Sequence, residues 1–246
     1  MIFKDNYFLG KRFLITGASG GIGSDITISL INLGASVIAI SKNFESLQIL
    51  REKIAHKDRF IPICEDMSKC HNLREFAFNI NREHEIDGAV FCAGVLKILP
   101  FSRASFQNSL DIFSINYFGN FEILKGLLDR RGRLKFGASF VFISSNSSIK
   151  AYKGLSDYAA TKGAINTAIK SIALEIAPKY RVNAISPGIV NTNMTNAIES
   201  LEYISKDYPC GLGDVSYITP LCLFLLSDDS FYITGENITI DGGASL

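Results

Sequence analysis

A chain of 246 residues is long enough to bury one substantial core. With 47% hydrophobic and 20% charged residues, the composition excludes a disordered polyelectrolyte. The 25 basic and 24 acidic side chains leave a net charge of +1, which gives no global pull toward nucleic acid or an anionic membrane.

Nearly continuous apolar runs at residues 12–16, 36–40, 59–63, 87–92, 139–144, 181–185 and 237–240 predict parallel strands covered on both faces. Helical patterns at 22–33, 46–57, 73–83, 109–128, 158–177 and 215–226 alternate with them. The expected fold is therefore α/β, a single-domain doubly wound Rossmann-type parallel sheet over residues 1–246, with helices on both faces. Residues 190–212 are rich in Asn, Ser and Tyr and only weakly helical, so they are expected to form a substrate lid within that domain.

The first strand runs into Gly17-Ala18-Ser19-Gly20-Gly21-Ile22-Gly23 and then a helix. Without Cβ atoms the backbone turns sharply and a diphosphate can approach the amides at the helix start. Gly17, Gly21 and Gly23 are the principal glycines, and Gly23 also permits close helix packing. The second strand ends in Ser41-Lys42 with no carboxylate to repel a 2′-phosphate, which favours NADP(H) while leaving NAD(H) possible. After the third strand, Asp66 and Met67 are placed to border an adenine. After the fourth, the small side chains of Cys92-Ala93-Gly94 let a cofactor lie against backbone.

Asn116 interrupts the apolar helical run 112–128, either as a satisfied core amide or as a residue that bends the helix and holds a water. The fifth strand opens into Ser144-Ser145-Asn146-Ser147-Ser148, where a hydroxyl can donate to a reacting oxygen. Spacing does not decide among these serines. In the next helix, Tyr158 and Lys162 are four residues apart and share one face. An adjacent ammonium and a cationic oxidised nicotinamide would both favour the phenolate, so Tyr158 can give or take a proton.

Cys64, Cys70, Cys92, Cys210 and Cys222 are odd in number and lack paired spacing, and His56, His71 and His84 lie in polar stretches expected at the surface. Neither a disulfide framework nor a metal site is expected, and the cysteine usage fits the cytoplasm. Residues 1–11 lack a secretory apolar region and 218–226 is too short to span a bilayer, so no membrane association is expected.

Taken together, Thr16-Gly17-Ala18-Ser19-Gly20-Gly21-Ile22-Gly23, Asn116, Ser145, Tyr158 with Lys162, Ser186-Pro187-Gly188-Ile189-Val190-Asn191-Thr192 and Asp241-Gly242-Gly243 resemble the motifs of the short-chain dehydrogenase/reductase family over the whole chain. The resemblance selects Ser145 as the catalytic serine and makes Asn116 a structural and relay asparagine. It implies that Lys162 binds the nicotinamide ribose, that Pro187, Gly188 and the Ile189 backbone meet the nicotinamide, and that Thr192 lies near the carboxamide or diphosphate. It also implies a homodimer or homotetramer.

The overall pattern is similar to 3-oxoacyl-carrier-protein reductases, and the basic run at 130–135 suits an acidic acyl carrier protein. The expected activity is NAD(P)-dependent interconversion of a small-molecule carbonyl and a secondary alcohol. A keto-sugar reductase and a non-catalytic dinucleotide-binding regulator are the alternatives. Two departures from the family stand out: Phe91-Cys92 replaces the usual Asn-Asn, and Gly20 replaces a basic residue found in many NADPH-preferring relatives.

Overall fold

The computed structural model describes residues 3–192, 195, 206 and 208–246. Within them, β1 (Arg12–Thr16), β2 (Ser36–Ser41), β3 (Phe60–Cys64), β4 (Ile86–Phe91), β5 (Leu134–Ile143), β6 (Arg181–Pro187) and β7 (Asn237–Ile240) form one parallel sheet in the order β3-β2-β1-β4-β5-β6-β7. Successive side chains point to opposite faces, and both faces are dry. Phe13, Ile15, Val37, Ala39, Val90, Val141 and Ile185 enter one core with α1 (Gly21–Asn32), α2 (Phe44–Glu52) and α7 (Val215–Leu226). Leu14, Ile38, Ile40, Ala89, Phe91, Phe140, Phe142 and Ala184 enter the other with α3 (Cys70–Glu83), α5 (Asn120–Leu127) and α6 (Ser156–Ile176). Burial on both faces explains why the strands read as unbroken apolar runs rather than alternating ones.

Strand order reverses between β1 and its neighbours β2 and β4, so the loops leaving β1 and β4 separate and open a crevice beyond the carboxyl ends. That crevice is where a ligand can approach the sheet.

Several boundaries depart from expectation. The single helix expected over 109–128 is α4 (Phe106–Phe113), a π-helical turn at Ser114–Gly119, and then α5. The extra residue per turn is absorbed where Asn116 and Asn120 bond to backbone outside the helix. Helix α4 starts three residues early because Ser105 caps it, accepting from Asn108 N while the Asn108 side chain accepts from Ser105 N. Helix α2 ends at Glu52 instead of 57. Strand β5 begins at Leu134, and its first residues extend beyond the covered sheet. The central part of the expected 190–212 lid lies outside the described residues.

Candidate active site

A cavity of about 270 Å³ opens at the carboxyl ends of β1, β4, β5 and β6. The turn after β1 forms one wall. Gly17 has φ of +63°, and a Cβ there would lie 2.7 Å from Ala93 N, while a Cβ on Gly23 would lie 2.3 Å from the Gly17 carbonyl oxygen. Both positions therefore require glycine for close approach, Gly17 to the β4 turn and Gly23, in the first turn of α1, to the Gly17 carbonyl. Helix α1 has Gly20 at its N-cap, no capping side chain and no acid in its first turn, leaving its amides open to an anion.

Of the sequence-selected residues, Gly17, Ser19, Gly20, Gly21, Ile22, Gly23, Cys92, Ala93, Gly94, Ser145, Tyr158, Lys162, Pro187, Gly188 and Thr192 line this cavity. Ile143, Ser144, Val190 and Thr195 join them and were not selected. Ile189 is not among the lining residues: its amide donates to Tyr208 Oη at 3.0 Å and its carbonyl accepts from Gly213 N at 2.9 Å. Both polar groups are engaged away from the cavity, and Val190 is the residue that borders it.

Asn116 also stands elsewhere. It is fully buried, accepts from Val95 N at 2.7 Å, and donates to Val95 O at 3.1 Å and Thr161 Oγ1 at 3.2 Å. The amide thus fastens the π turn to the loop after β4 and to α6 without itself lining the cavity. Its neighbour Asn120 was missed. Asn120 Oδ1 accepts from Thr16 Oγ1 at 2.8 Å, and Nδ2 donates to Ala93 O at 2.9 Å, Ile115 O at 3.2 Å and Asn116 O at 3.2 Å. Thr16 Oγ1 in turn accepts from Ala93 N at 3.2 Å. This brace holds the β4 turn although Phe91 and Cys92 stand where the family has two asparagines. A second asparagine one helical turn after Asn116 was the available signal.

At the chemical end, α6 presents Tyr158 and Lys162 beside the Ser145 loop. Lys162 is buried, and its Nζ donates to Ile143 O at 2.7 Å while its backbone carbonyl accepts from Ser144 Oγ at 3.2 Å. Burial pushes the Lys162 ammonium down to about 8, with the Cys92 thiol acting in the opposite direction. Burial likewise drives the Cys92 thiol up to about 12.

The expected lowering of the Tyr158 pKa is corrected for the protein alone. Burial raises it, and the hydrogen bond from Ser145 opposes this only in part. Lys162 Nζ sits 5.6 Å from the Tyr158 ring centroid and is directed to the Ile143 carbonyl, so its charge does not offset the desolvation of a phenolate. Ser145 Oγ lies 3.0 Å from Ser147 Oγ and accepts from Ser147 N at 3.1 Å.

At the other end of the crevice, Ser41 Oγ shares a hydrogen bond with Ser19 Oγ at 2.7 Å. Lys42 Nζ lies 3.2 Å from Asp66 Oδ2, so the two adenosine-end candidates meet each other. Burial works against the Asp66 carboxylate, but hydrogen bonds from Ser68 and the Lys42 charge hold it below its ordinary value. Met67 is buried beneath this pair, in the core with Phe91 and Phe121. Ser41, Lys42, Asp66 and Met67 flank the crevice outside the cavity lining. His56 and His71 are exposed and His84 is half-buried. Among the described residues there is no cluster of three or more metal-ligating side chains, and no helix is long and apolar enough to cross a membrane.

A family model described as enoyl-(acyl carrier protein) reductase matches residues 17–245. A 3-oxoacyl-[acyl-carrier-protein] reductase of Rickettsia conorii is 33% identical over 95% of this chain and 96% of its own. L-xylulose reductase of Mus musculus is 30% identical, with the same coverage of both chains. Among solved structures, a short-chain dehydrogenase/reductase from Brucella melitensis, described as a glucose/ribitol dehydrogenase, superposes with a TM-score of 0.91 at 29% identity, covering 99% of this chain and 100% of its own. With the motif turn, the β1/β4 crevice and the Ser145–Tyr158–Lys162 cluster in place, the chain belongs to the short-chain dehydrogenase/reductase family of NAD(P)(H)-dependent oxidoreductases, which interconvert carbonyl and alcohol.

Proposed function

We propose that this chain is an NADPH-dependent ketoreductase in which Tyr158 supplies the proton, Ser145 steadies the developing oxyanion and Lys162 holds the nicotinamide ribose. The observation that carries this reading is that Ser145, Tyr158 and Lys162 line one cavity together with the glycine turn after β1. The cofactor supplies the hydride. Gly17, Ser19, Gly20, Gly21, Ile22 and Gly23 would receive the diphosphate, and Cys92, Ala93 and Gly94 would leave room along the ribose. Pro187, Gly188, Val190 and Thr192 would flank the nicotinamide. Asn116 is a positioning residue here, since its amide holds the β4 loop and Thr161 rather than facing the reacting atoms.

The preference for NADP(H) over NAD(H) rests on Ser41 and Lys42, with no carboxylate at the end of β2. Asp66 competes for Lys42 and moderates that preference. A small free carbonyl, such as a keto-sugar, fits better than a carrier-linked thioester. The basic run leads into the amino end of β5, opposite the cavity at the carboxyl ends, where Arg131 pairs with Asp129, and Arg133 and Lys135 both pair with Glu85. The identity to 3-oxoacyl-carrier-protein reductases favours the second reading, reduction of an acyl-carrier thioester. In either case we place the protein in the cytoplasm as a homodimer or homotetramer.

The test follows NADPH absorbance with keto-sugars, small diketones and acetoacetyl thioesters. We expect turnover of a free carbonyl, and a loss of about 10²- to 10⁴-fold in kcat for Tyr158→Phe with NADPH binding retained. Full turnover by a folded Tyr158→Phe protein overturns the assignment. Activity confined to thioesters selects the carrier reading, and cofactor binding without turnover on any carbonyl selects the non-catalytic regulator.

A further inference from the structure

Two walls flank the reacting centre, the Ser145 loop after β5 and residues 187–190 after β6. The sheet registers them only as far as Ile143 beside Ile185 and the Ser144 N to Ile185 O bond of 2.7 Å. Beyond that point a row of buried and half-buried side chains joins them. Asn146, which follows Ser145 and is 2% exposed, donates from Nδ2 to Tyr152 Oη at 3.1 Å and to Asp241 Oδ2 at 3.2 Å. Tyr152 Oη lies 3.4 Å from Tyr208 Oη, and Tyr208 Oη accepts from Ile189 N at 3.0 Å.

The packing places the far end of this row directly on the second wall. Tyr208 is 4% exposed, and a Cβ on cavity-lining Gly188 would lie 2.8 Å from its ring and 2.9 Å from Asp241 Cβ. Asp241 is itself fixed, accepting from Gly243 N at 3.1 Å and from Ser245 Oγ. None of Asn146, Tyr152, Tyr208 and Asp241 lines the cavity. Their hydroxyls and amides are spent on one another and on the Ile189 backbone.

We infer that Tyr152 and Tyr208 are positioning residues whose hydroxyl couple sets the separation between Ser145 and residues 187–190. The inference rests on the hydride-transfer reading of the same cavity. Transfer requires reacting atoms within about 3–3.5 Å, and a displacement of about 1 Å costs up to about 100-fold in rate. A couple bridging the two walls therefore acts on kcat without touching substrate.

The experiment compares Tyr152→Phe, Tyr208→Phe and the double variant for kcat, KM, NADPH dissociation constant by equilibrium dialysis, and melting temperature. Each single variant is expected to lower kcat about tenfold. Each is also expected to raise the NADPH dissociation constant about threefold, with KM for the carbonyl nearly unchanged. The double variant is expected to be no worse than the poorer single, because both substitutions break one row. Wild-type kcat and NADPH affinity in both singles, or losses that multiply in the double, overturn the inference. Where Tyr208→Phe fails to fold, Asp241→Asn replaces it in the same comparison with Tyr152→Phe. Failure of the ketoreductase reading looks different: turnover is absent from the wild type, and the non-multiplying loss of NADPH affinity still decides the couple.

Discussion

At the chemical end of the crevice, Asn116, Asn120, Ser144 and Lys162 are buried and tied to backbone carbonyls and amides on three elements, whereas at the adenosine end the Lys42 side chain is 74% exposed and meets Asp66 across solvent. A buried polar group without its partner loses the full cost of desolvation, so the chemical end tolerates few changes. An exposed ion pair contributes little to stability and is screened by salt, so the adenosine end can be rewritten at small cost to the fold. The proposed catalytic residues are thus held by the core, and the proposed determinants of cofactor choice by the surface.

The sharpest way to break this contrast is Lys162→Met. We expect kcat to fall about 100-fold, as loss of the group that would orient the nicotinamide ribose does. The same variant tests the titration in the cofactor-free protein. Burial brings the folded pKa of Lys162 to about 8, below its ordinary value. Between about 8 and about 10 the unfolded chain therefore keeps a proton that the folded chain has released, and stability rises with pH through that window. Melting curves should show wild type gaining on Lys162→Met from pH 7.5 to 10; a constant difference removes the claim.

Next in size is Asn120→Ala. It strands Thr16 Oγ1 and removes donors from Ala93, Ile115 and Asn116 carbonyls, so we expect a loss of about 3 kcal/mol by denaturant titration. A loss under about 1 kcal/mol would mean that water replaces the amide and that the chemical end is no more tightly built than the other. The smallest effect is expected for Lys42→Glu: NADPH affinity falling about tenfold, NADH affinity retained, and stability changed by less than about 1 kcal/mol. An unchanged preference for NADPH takes Lys42 out of cofactor selection.

The sheet was legible because strands buried on both faces leave long apolar runs, and the glycine turn because Gly17 and Gly23 occupy positions where a Cβ would collide with backbone. Tyr158 and Lys162 were legible through helical spacing, while Ser145 needed the family motif to separate it from its neighbours. Asn120 was hidden because its worth lies in bonds to Thr16 and Ala93, which are distant in sequence. The bond from the Ile189 amide to Tyr208 was hidden for the same reason. Asn116 marked an interruption of the helix, but only the amide partners of Asn116 and Asn120 reveal that it takes the form of a π turn.

Phe91 stacks on Phe142 with ring centroids 4.2 Å apart, Phe142 on Phe121 at 4.8 Å, and Phe121 lies 4.4 Å from Tyr117. This aromatic column fills the place next to the turn that Asn120 and Thr16 hold from the side. The two features depend on one another. With the Asn120 brace in place, position 91 is released from polar duty and is open to an aromatic ring. With the column in place, an asparagine at position 91 would set an amide among phenyl faces, so the family's usual residue would disrupt this core.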